Sequence, residues 1–387
     1  MRHIIATACA ATLWVTAALA EIQVDIGYLE VGVDRPPTLS GLDPRPEDLG
    51  RAGAEVGLED NATTGKFLGQ AYALEVHRTE PGEDPLAAAR TALGAARFLV
   101  VDAPAQTLTA IADLPEAQGA LIFNATAPDT ALRDDACRTN LFHTLPSVAM
   151  RTDALAQFFV TKRWEDVALI TGPQPGDATF AEAMARSLTK FGLKIAAQKS
   201  WTFDADMRRN AAQEVPLFTQ DLGDYDALIV ADEGQDFGRY VLYNTWAPRP
   251  VAGSEGLRPV AWAPVVEQWG AAQLQSRFQD HAGRGMTSQD YAAWAAIRAI
   301  GEAVTRTGGA DPAAVRGFLL SPEFELAGFK GRPLTFRDWN GQLRQPIPLV
   351  HPRALVALAP LDGFLHQVTE LDTLGLDRPE TNCTAFQ

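Results

Sequence analysis

The sequence predicts an α/β protein with two doubly wound lobes, each built on its own parallel sheet. Short, continuous apolar runs alternate with segments of helical period, and this alternation starts again near residue 150. Continuous apolar runs are typical of parallel strands that are covered on both faces. The chain has 387 residues, which is too long for a single hydrophobic core, so more than one lobe is expected.

The first 20 residues, MRHIIATACAATLWVTAALA, have the layout of a secretory signal peptide. A positive start at Arg2 is followed by an apolar stretch and by Ala-Leu-Ala before Glu21. The stretch is too short to remain as a membrane anchor, and no later apolar run is long enough to cross a bilayer. We therefore expect cleavage after Ala20 and a soluble, exported mature protein located in the periplasm.

Charge and cysteine content narrow the function classes further. The formal net charge is −15, with 48 acidic residues, and an acidic chain repels nucleic acid and anionic membrane surfaces. The acidic balance can also serve solubility alone. The two cysteines outside the signal peptide, Cys137 and Cys383, form one bridge in an oxidising compartment if they lie close in space, or else remain as thiols.

The first run of elements leads to four strands. In chain order the predicted strands are IQVDIGYLEV, YALEVHRT, FLVVD and ALIFN, and the helices between them are LGRAGAEVGLEDNA, PLAAARTALGA and TLTAIADLPEAQ. The second run begins with a helix capped by Thr152 and continues with DVALITG, FAEAMARSLTKFG, KIAAQKSW, a helix over 211–218, and DALIVAD. GPQPGD, residues 172–177, is interpreted as a turn.

A long helix is predicted after Thr287, because Thr287 and Asp290 have the spacing of a capping box. Its apolar stripe, which favours a core position, consists of Tyr291, Trp294, Ile297, Ile300 and Val304. Gly308 ends this helix, and Asp311-Pro312 starts another. Asn340-Gly341 between extended segments predicts a hairpin.

Motifs for catalysis and for metal or phosphate binding are missing. None of the six histidines forms an HExxH pair or a short zinc-ligand spacing, and neither a GxSxG elbow nor a phosphate loop is present. His143 is expected to be structural. The prediction is therefore a non-enzymatic protein without catalytic residues, metal or cofactor, because polar groups without a paired base and nucleophile favour binding.

Ligands of open parallel sheets bind beyond the carboxyl ends of the strands, where this sequence places polar groups. The candidates that follow predicted strands are Asp102, Ala105, Gln106, Asn124, Ala125, Thr126, Asp232, Glu233 and Trp262. Thr126 offers a hydroxyl and a backbone donor, and Trp262 offers a ring for stacking. Asp232 and Glu233 offer negative charge for a cationic group or a metal.

The chain resembles the type I periplasmic solute-binding proteins, and in particular the leucine/isoleucine/valine-binding group of ABC importers. The resemblance covers nearly all of the mature chain and rests on the order and spacing of several stretches. These are GRAGAEVGLEDN, IFNATAPDTAL, FHTLPSVAMRTDALAQFFVTKRWEDVALITG, DYAAWAAIRAIGEAVTRTGGADPAAVRGFL and FKGRPLTFRDWNGQLRQPI. It implies two lobes joined by a hinge of several crossings, with residues 21–143 and 264–335 in the first lobe and 144–263 and 336–387 in the second.

The resemblance also implies a ligand site. In the amino-acid-binding relatives, loops after two first-lobe strands hold the ligand, and these correspond to Ala105-Gln106 and Ala125-Thr126. The small hydroxyl residue of the earlier loop is replaced here by Ala105 or Gln106. Second-lobe contacts correspond to Asp232-Glu233, Trp262 and Glu267.

The stretches YNTWAPRPVAG, EQWGAAQLQSRF and WNGQLRQPI are similar to a subgroup found with PQQ-dependent alcohol dehydrogenase systems. The resulting hypothesis is a monomeric periplasmic protein that captures a small molecule between its lobes for an inner-membrane ABC permease. The alternative is a periplasmic sensor or accessory subunit of a quinoprotein dehydrogenase, which binds a ligand or a metal without a transport role.

Overall fold

The computed structural model describes residues 21–34, 45–202 and 210–386. The predicted signal peptide, residues 1–20, lies outside the described residues. The structure confirms the predicted α/β class, because two separate parallel sheets account for most of the strands.

The first sheet has five parallel strands in the order β2-β1-β3-β4-β5. Its strands are β1 (Ile22–Val31), β2 (Gln70–Thr79), β3 (Phe98–Asp102), β4 (Leu121–Asn124) and β5 (Leu141–His143). The helices that precede or join them are α1 (Arg51–Leu68), α2 (Pro85–Ala95) and α3 (Ala105–Ala112). Every residue of β3 and β4 is buried, as their continuous apolar sequences require.

The second sheet has four parallel strands in the order β7-β6-β8-β9. Its strands are β6 (Asp166–Thr171), β7 (Lys194–Ser200), β8 (Ala227–Ala231) and β9 (Val251–Gly253), and its helices are α4 (Val148–Lys162), α5 (Pro175–Lys190), α6 (Ala211–Thr219) and α7 (Gly238–Val241).

Two helix starts in this lobe differ from the predictions. The cap of α4 is Ser147, whose Oγ accepts the backbone N–H of Met150 at 3.1 Å. Thr152 lies inside the helix, where its hydroxyl donates to the carbonyl of Val148 at 3.1 Å. Gln174 and Asp177 form a capping box, so the segment predicted as a turn contains the start of α5. A hydroxyl one turn inside a helix bonds to the preceding carbonyl, and sequence alone does not distinguish it from a cap.

The rest of the chain adds helices to the first lobe and two small sheets. These elements are β10 (Arg258–Pro259), α8 (Ala271–Ala282), α9 (Ser288–Thr307), α10 (Pro312–Leu319), β11 (Leu326–Ala327), β12 (Pro333–Phe336), β13 (Leu343–Arg344), β14 (Ile347–His351) and β15 (Ala354–Ala359). β12 and β13 pair as an antiparallel hairpin around Asn340-Gly341, which confirms that prediction.

Helix α9 is the central covering helix of the first lobe. Its predicted capping box at Thr287 and Asp290 is present, its apolar stripe is fully buried, and it ends at Gly308 in the left-handed conformation. It lies so close to α1 that a Cβ added to Gly53 would stand 1.9 Å from the carbonyl oxygen of Asp290. Only glycine allows this approach of two backbones.

In each lobe the described residues form two hydrophobic clusters, one on each face of the sheet, and the larger cluster is taken as the core of that lobe. The core of the first lobe contains β1, β3, β4 and α8 to α10, together with Trp262 and Phe336, which the predicted boundaries assigned to the second lobe. The core of the second lobe contains α4, α5, β6 and β8, together with Ile347 and Leu374. The chain therefore passes between the cores after β5, between β10 and α8, and between β13 and β14.

Hydrogen bonds between distant segments hold these crossings side by side. The side-chain amide of Gln345 donates to the carbonyl of Thr144 at 2.8 Å, and that of Gln342 donates to the carbonyl of His143 at 3.1 Å. The N–H of Val260 donates to the carbonyl of Pro348 at 3.0 Å. The three connections thus form one hinge.

The C-terminal tail returns to the first lobe. A disulfide joins Cys137 to Cys383, with an S–S distance of 2.09 Å, so the structure contains the bridge that the sequence allowed.

Ion pairs accompany the tail. The Asp372 carboxylate accepts from both Arg337 and Arg344, each at 2.8 Å, and all three side chains are buried. Farther along, Arg378 pairs with Asp338 at an exposed position.

Candidate functional site

A cavity of about 270 Å³ lies at the carboxyl ends of β1, β3 and β4. Its walls are Val31, Val33, Asp102, Ala103, Pro104, Ala105, Thr126, Ala127, Pro128 and Asp129, all of which belong to the first lobe. Three of the predicted site residues, Asp102, Ala105 and Thr126, are therefore brought together. They meet because the carboxyl ends of parallel strands share one edge of the sheet.

Thr126 supplies the polar group of this cavity that the protein leaves unused. Its hydroxyl is buried and has no hydrogen-bond partner within the described residues. A buried polar group without a partner is costly, which points to a group that a ligand can satisfy. Its backbone N–H donates to Asn124 Oδ1 at 3.0 Å, so the predicted backbone donor is already occupied.

Asn124 shapes the loop that carries Thr126. Its Oδ1 accepts the N–H groups of Thr126 and Ala127, and its Nδ2 donates to the carbonyl of Ala127 at 2.8 Å and lies 3.1 Å from His143 Nδ1. Asn124 and the neighbouring Ala125 are both fully buried. Asn124 therefore positions the loop and does not line the cavity.

His143 has the structural role that the sequence predicted. It is fully buried, and this burial, together with the nearby charge of Arg133, holds its pKa well below the ordinary value of 6.5. The ring is therefore neutral, and its unprotonated Nδ1 accepts a hydrogen bond from the side-chain amide of Asn124.

Ala105 and Gln106 belong to the first turn of α3, which begins at Ala105. The cap residue, Pro104, makes no side-chain hydrogen bond to this turn, so the helix begins beside the cavity with backbone N–H groups that its cap leaves unpaired. Ala105 lines the cavity, whereas Gln106 is exposed and does not.

Asp102 forms an acidic part of the cavity wall. Its carboxylate accepts from Gln289 Nε2 at 2.5 Å and lies 3.8 Å from the guanidinium of Arg45. Behind it, Tyr28 is completely buried. This burial, and to a smaller extent the charge of Asp102, raises the pKa of the Tyr28 phenol well above 10.

Asp232 does not offer the free negative charge that was predicted. It is 1 % exposed, and its carboxylate accepts the backbone N–H groups of Asp236, Phe237 and Gly238 at 2.9, 3.0 and 2.7 Å. These bonds fix the start of α7. The oxygens of this carboxylate therefore accept hydrogen bonds from the local backbone.

Glu233 is half-buried beside Asp232, and its charge is compensated by the protein. Arg151 donates hydrogen bonds to both of its oxygens, at 2.6 and 3.0 Å, and Ser254 donates to one of them at 2.9 Å. Burial alone would raise the pKa of Glu233, but the charge of Arg151 and the hydrogen bonds from Arg151 and Ser254 together outweigh burial and lower the pKa. The expectation of a second-lobe site for a cationic group or a metal is thus not supported by the geometry.

Asp177 connects this edge of the second sheet to α5. Its carboxylate accepts the N–H groups of Glu233 at 2.7 Å and of Gln174 at 3.0 Å. Burial, together with the nearby charges of Asp232 and Glu233, raises its pKa to about 6 against these hydrogen bonds.

Trp262 and Glu267 lie outside the cavity. The ring of Trp262 is 3 % exposed and stacks on Tyr291 at 4.9 Å, while its Nε1 donates to Gln275 at 3.1 Å. Trp262 is therefore part of the first-lobe core. Glu267 is exposed just before α8.

Sequence reasoning missed several residues of the site region. The rule that pointed to β3 and β4 also applies to β1, and would have found Val31 and Val33. Pro128 and Asp129 also line the cavity, but they lie beyond the strand-end residues that were chosen as candidates. Arg151 gave no signal, because its role depends on Glu233, 82 positions away.

Within the described ranges, no group of three or more histidine, cysteine, aspartate or glutamate side chains is arranged to hold a metal ion. No helix in the same ranges is long and apolar enough to cross a membrane.

Comparisons with known proteins agree with this geometry. Residues 38–211 match the family model described as "Periplasmic binding protein". The protein has the type I periplasmic binding protein fold. Among solved structures, a branched-chain amino acid ABC transporter ligand-binding protein from Burkholderia xenovorans superimposes with a TM-score of 0.70 at 17 % identity, over 94 % of this chain and 100 % of that one. A search of curated proteins found no match.

Two further neighbours extend the range of ligands seen on this fold. A leucine-, isoleucine-, valine-, threonine- and alanine-binding protein from Brucella ovis has a TM-score of 0.66 at 14 % identity, over 87 % of this chain and 92 % of that one. A solute-binding protein from R. palustris, in complex with benzoate, has a TM-score of 0.63 at 11 % identity, over 93 % and 99 %. All three are described as binding proteins.

Proposed function

We propose that this type I periplasmic binding protein is the solute-binding component of an ABC transporter and captures a small molecule between its two lobes. The observation that carries the proposal is the cavity at the carboxyl edge of the first sheet, with the unpartnered hydroxyl of Thr126 in its wall. The type I periplasmic binding fold and the matched family region support the transport role and a periplasmic location.

In the proposed mechanism the ligand docks first on the first lobe. The hydroxyl of Thr126 and the N-terminal amides of α3 meet its polar end, while Val31, Val33 and Pro128 cover its apolar part. The second lobe then closes over it, with the Arg151–Glu233 pair on the approaching face. Closure changes the outer surface of the protein, which an inner-membrane permease reads.

The ligand in this proposal is a small organic molecule with a polar end and an apolar body. A cavity of about 270 Å³ is at the small end of the range for ligand pockets, and most of its wall is apolar. The neighbour described in complex with benzoate carries a ligand of this kind. Asp232 and Glu233 in the second lobe already have partners and do not offer a free carboxylate to an ammonium group. This favours ligands that carry no ammonium group.

An association with PQQ-dependent alcohol oxidation is the more specific part of the proposal. It rests on YNTWAPRPVAG, EQWGAAQLQSRF and WNGQLRQPI alone. In that setting the ligand is a carboxylic acid or another product of alcohol oxidation. Copurification with a dehydrogenase and without permease components would replace transport by the accessory role.

The test begins with native mass spectrometry of the protein purified from its own periplasm, which detects a bound small molecule. Titration calorimetry then compares the wild type with Thr126→Val. One lost hydrogen bond to a buried ligand group costs about 1–3 kcal/mol, which weakens binding about 5- to 150-fold. Thr91→Val, at an exposed position on α2, is the control and should keep wild-type affinity. Equal affinity of wild type and Thr126→Val would place the site elsewhere.

A further inference from the structure

The C-terminal tail, residues 361–386, contacts both lobes. At its second-lobe end, Leu374 is part of the hydrophobic core, and the N–H of Gly375 donates to Asp153 Oδ2 at 2.8 Å. Lys190 on α5 donates to the carbonyl of Gly375 at 3.0 Å. Gly375 is therefore bonded to two helices of the second lobe, while the carbonyls of its neighbours Leu374 and Leu376 accept from Arg337 at 2.7 and 3.0 Å.

Eight residues later the same tail is fixed on the first lobe. Cys383 is bonded covalently to Cys137, and Thr381 Oγ1 donates to the carbonyl of Arg133 at 2.9 Å. Beyond the bridge, the ring of Phe386 packs edge-on against Phe142 at 6.1 Å. Phe142 lies in the core of the first lobe, so this anchor is part of the packed interior.

We propose that this tail is a covalent strap that limits how far the two lobes can separate. The three crossings of the hinge carry the chain between the lobes, and the tail adds a fourth link that the disulfide closes. The segment from Gly375 to Cys383 has a contour length of about 28 Å when fully extended. That length sets an upper limit on the separation of the two anchors, whatever the hinge allows.

The strap has a different consequence from ordinary stabilisation. A disulfide that only stabilises the fold changes the free energy of unfolding and leaves the native hinge motion unchanged. A strap changes the range of the native motion, and does so in proportion to its length. Lengthening the segment while keeping the disulfide separates the two roles.

The experiment measures the distance between spin labels on the lobes, at Thr91→Cys on α2 and Glu182→Cys on α5, by pulsed electron paramagnetic resonance. Both positions are exposed. The bridged native cysteines do not react with the label. The distance distribution is compared in the wild-type background, in Cys137→Ser/Cys383→Ser, and with five Gly/Ser residues inserted between Arg378 and Pro379. Small-angle X-ray scattering of the same proteins reports the overall dimensions.

We expect the insertion, which adds up to about 17 Å of chain, to broaden the distribution and extend it to longer distances. The double serine variant should extend it further. The same insertion between Gly308 and Gly309, in the turn after α9, is the control and should give the wild-type distribution. Should the double variant fail to fold, the strap insertion alone decides. Distributions that coincide for the wild type and the strap insertion would overturn the proposal.

Discussion

The role of Asn124 leads to a prediction about Asn124→Asp. The substitution keeps the shape of the side chain and its acceptor oxygen, but it removes the Nδ2 donor to Ala127 and His143. The carbonyl of Ala127 keeps a second donor, Arg133 Nη1 at 2.8 Å, and His143 can pair with the new carboxylate by carrying its proton on Nδ1 instead of Nε2. The lost bond to Ala127, about 1 kcal/mol, and the placing of a charged oxygen at a fully buried position, about 1–3 kcal/mol, give a loss of about 3 kcal/mol at pH 7.

The free energy of unfolding from urea titration followed by circular dichroism measures this loss. Gln118→Glu makes the same amide-to-acid change at an exposed position of the same lobe and should cost less than about 0.5 kcal/mol. Lowering the pH should recover part of the loss for Asn124→Asp, because the introduced carboxyl group regains one donor when it is protonated. A loss below about 0.5 kcal/mol at pH 7 would show that the network around Thr126 does not depend on Asn124.

Three further predictions concern stability, each measured by urea unfolding. Asp372→Asn leaves two buried arginines without their carboxylate partner and should lower the free energy of unfolding by about 3–5 kcal/mol. Asp338→Asn breaks an exposed ion pair and should lower it by less than about 1 kcal/mol. Equal losses would contradict the buried, paired state of Asp372. Gly53→Ala should cost more than about 3 kcal/mol through backbone overlap, whereas Gly94→Ala, a helical position with open space, should stabilise by about 0.5–1 kcal/mol. Because the folded-state pKa of Asp177 is raised to about 6 from 3.8, its contribution favours folding below pH 3.8 and is lost as the pH rises through 6. That shift corresponds to about 3 kcal/mol, or about 1.5 kcal/mol with solvent screening, and the loss of stability between pH 3.8 and pH 6 should be smaller by this amount in Asp177→Asn.

The strands and the long helix were predictable because their signals are local. Apolar runs such as FLVVD and ALIFN specify buried parallel strands, and the capping box at Thr287 specifies where α9 begins. The cavity edge followed from these strands, since their carboxyl ends meet at one edge of the sheet. Thr126 and Asp102 were found for this reason.

The state of the polar groups could not be predicted, because it depends on partners that are distant in sequence. Asp232 and Glu233 look alike as neighbouring acids, yet one is held by backbone N–H groups and the other by Arg151. Trp262 follows a predicted strand end, but Tyr291, 29 positions later, covers its ring. Negative charge in a sequence does not show whether the fold leaves it available.

The placement of α9 has a consequence for the order of folding. The strands of the first sheet end at His143, but the helix that covers them begins only at Ser288, after the whole second sheet has been made. During synthesis the early strands therefore emerge long before α9 can cover the face on which it packs, although α2 and α3 can already cover the other face. In the interval the uncovered face of these strands needs protection from aggregation.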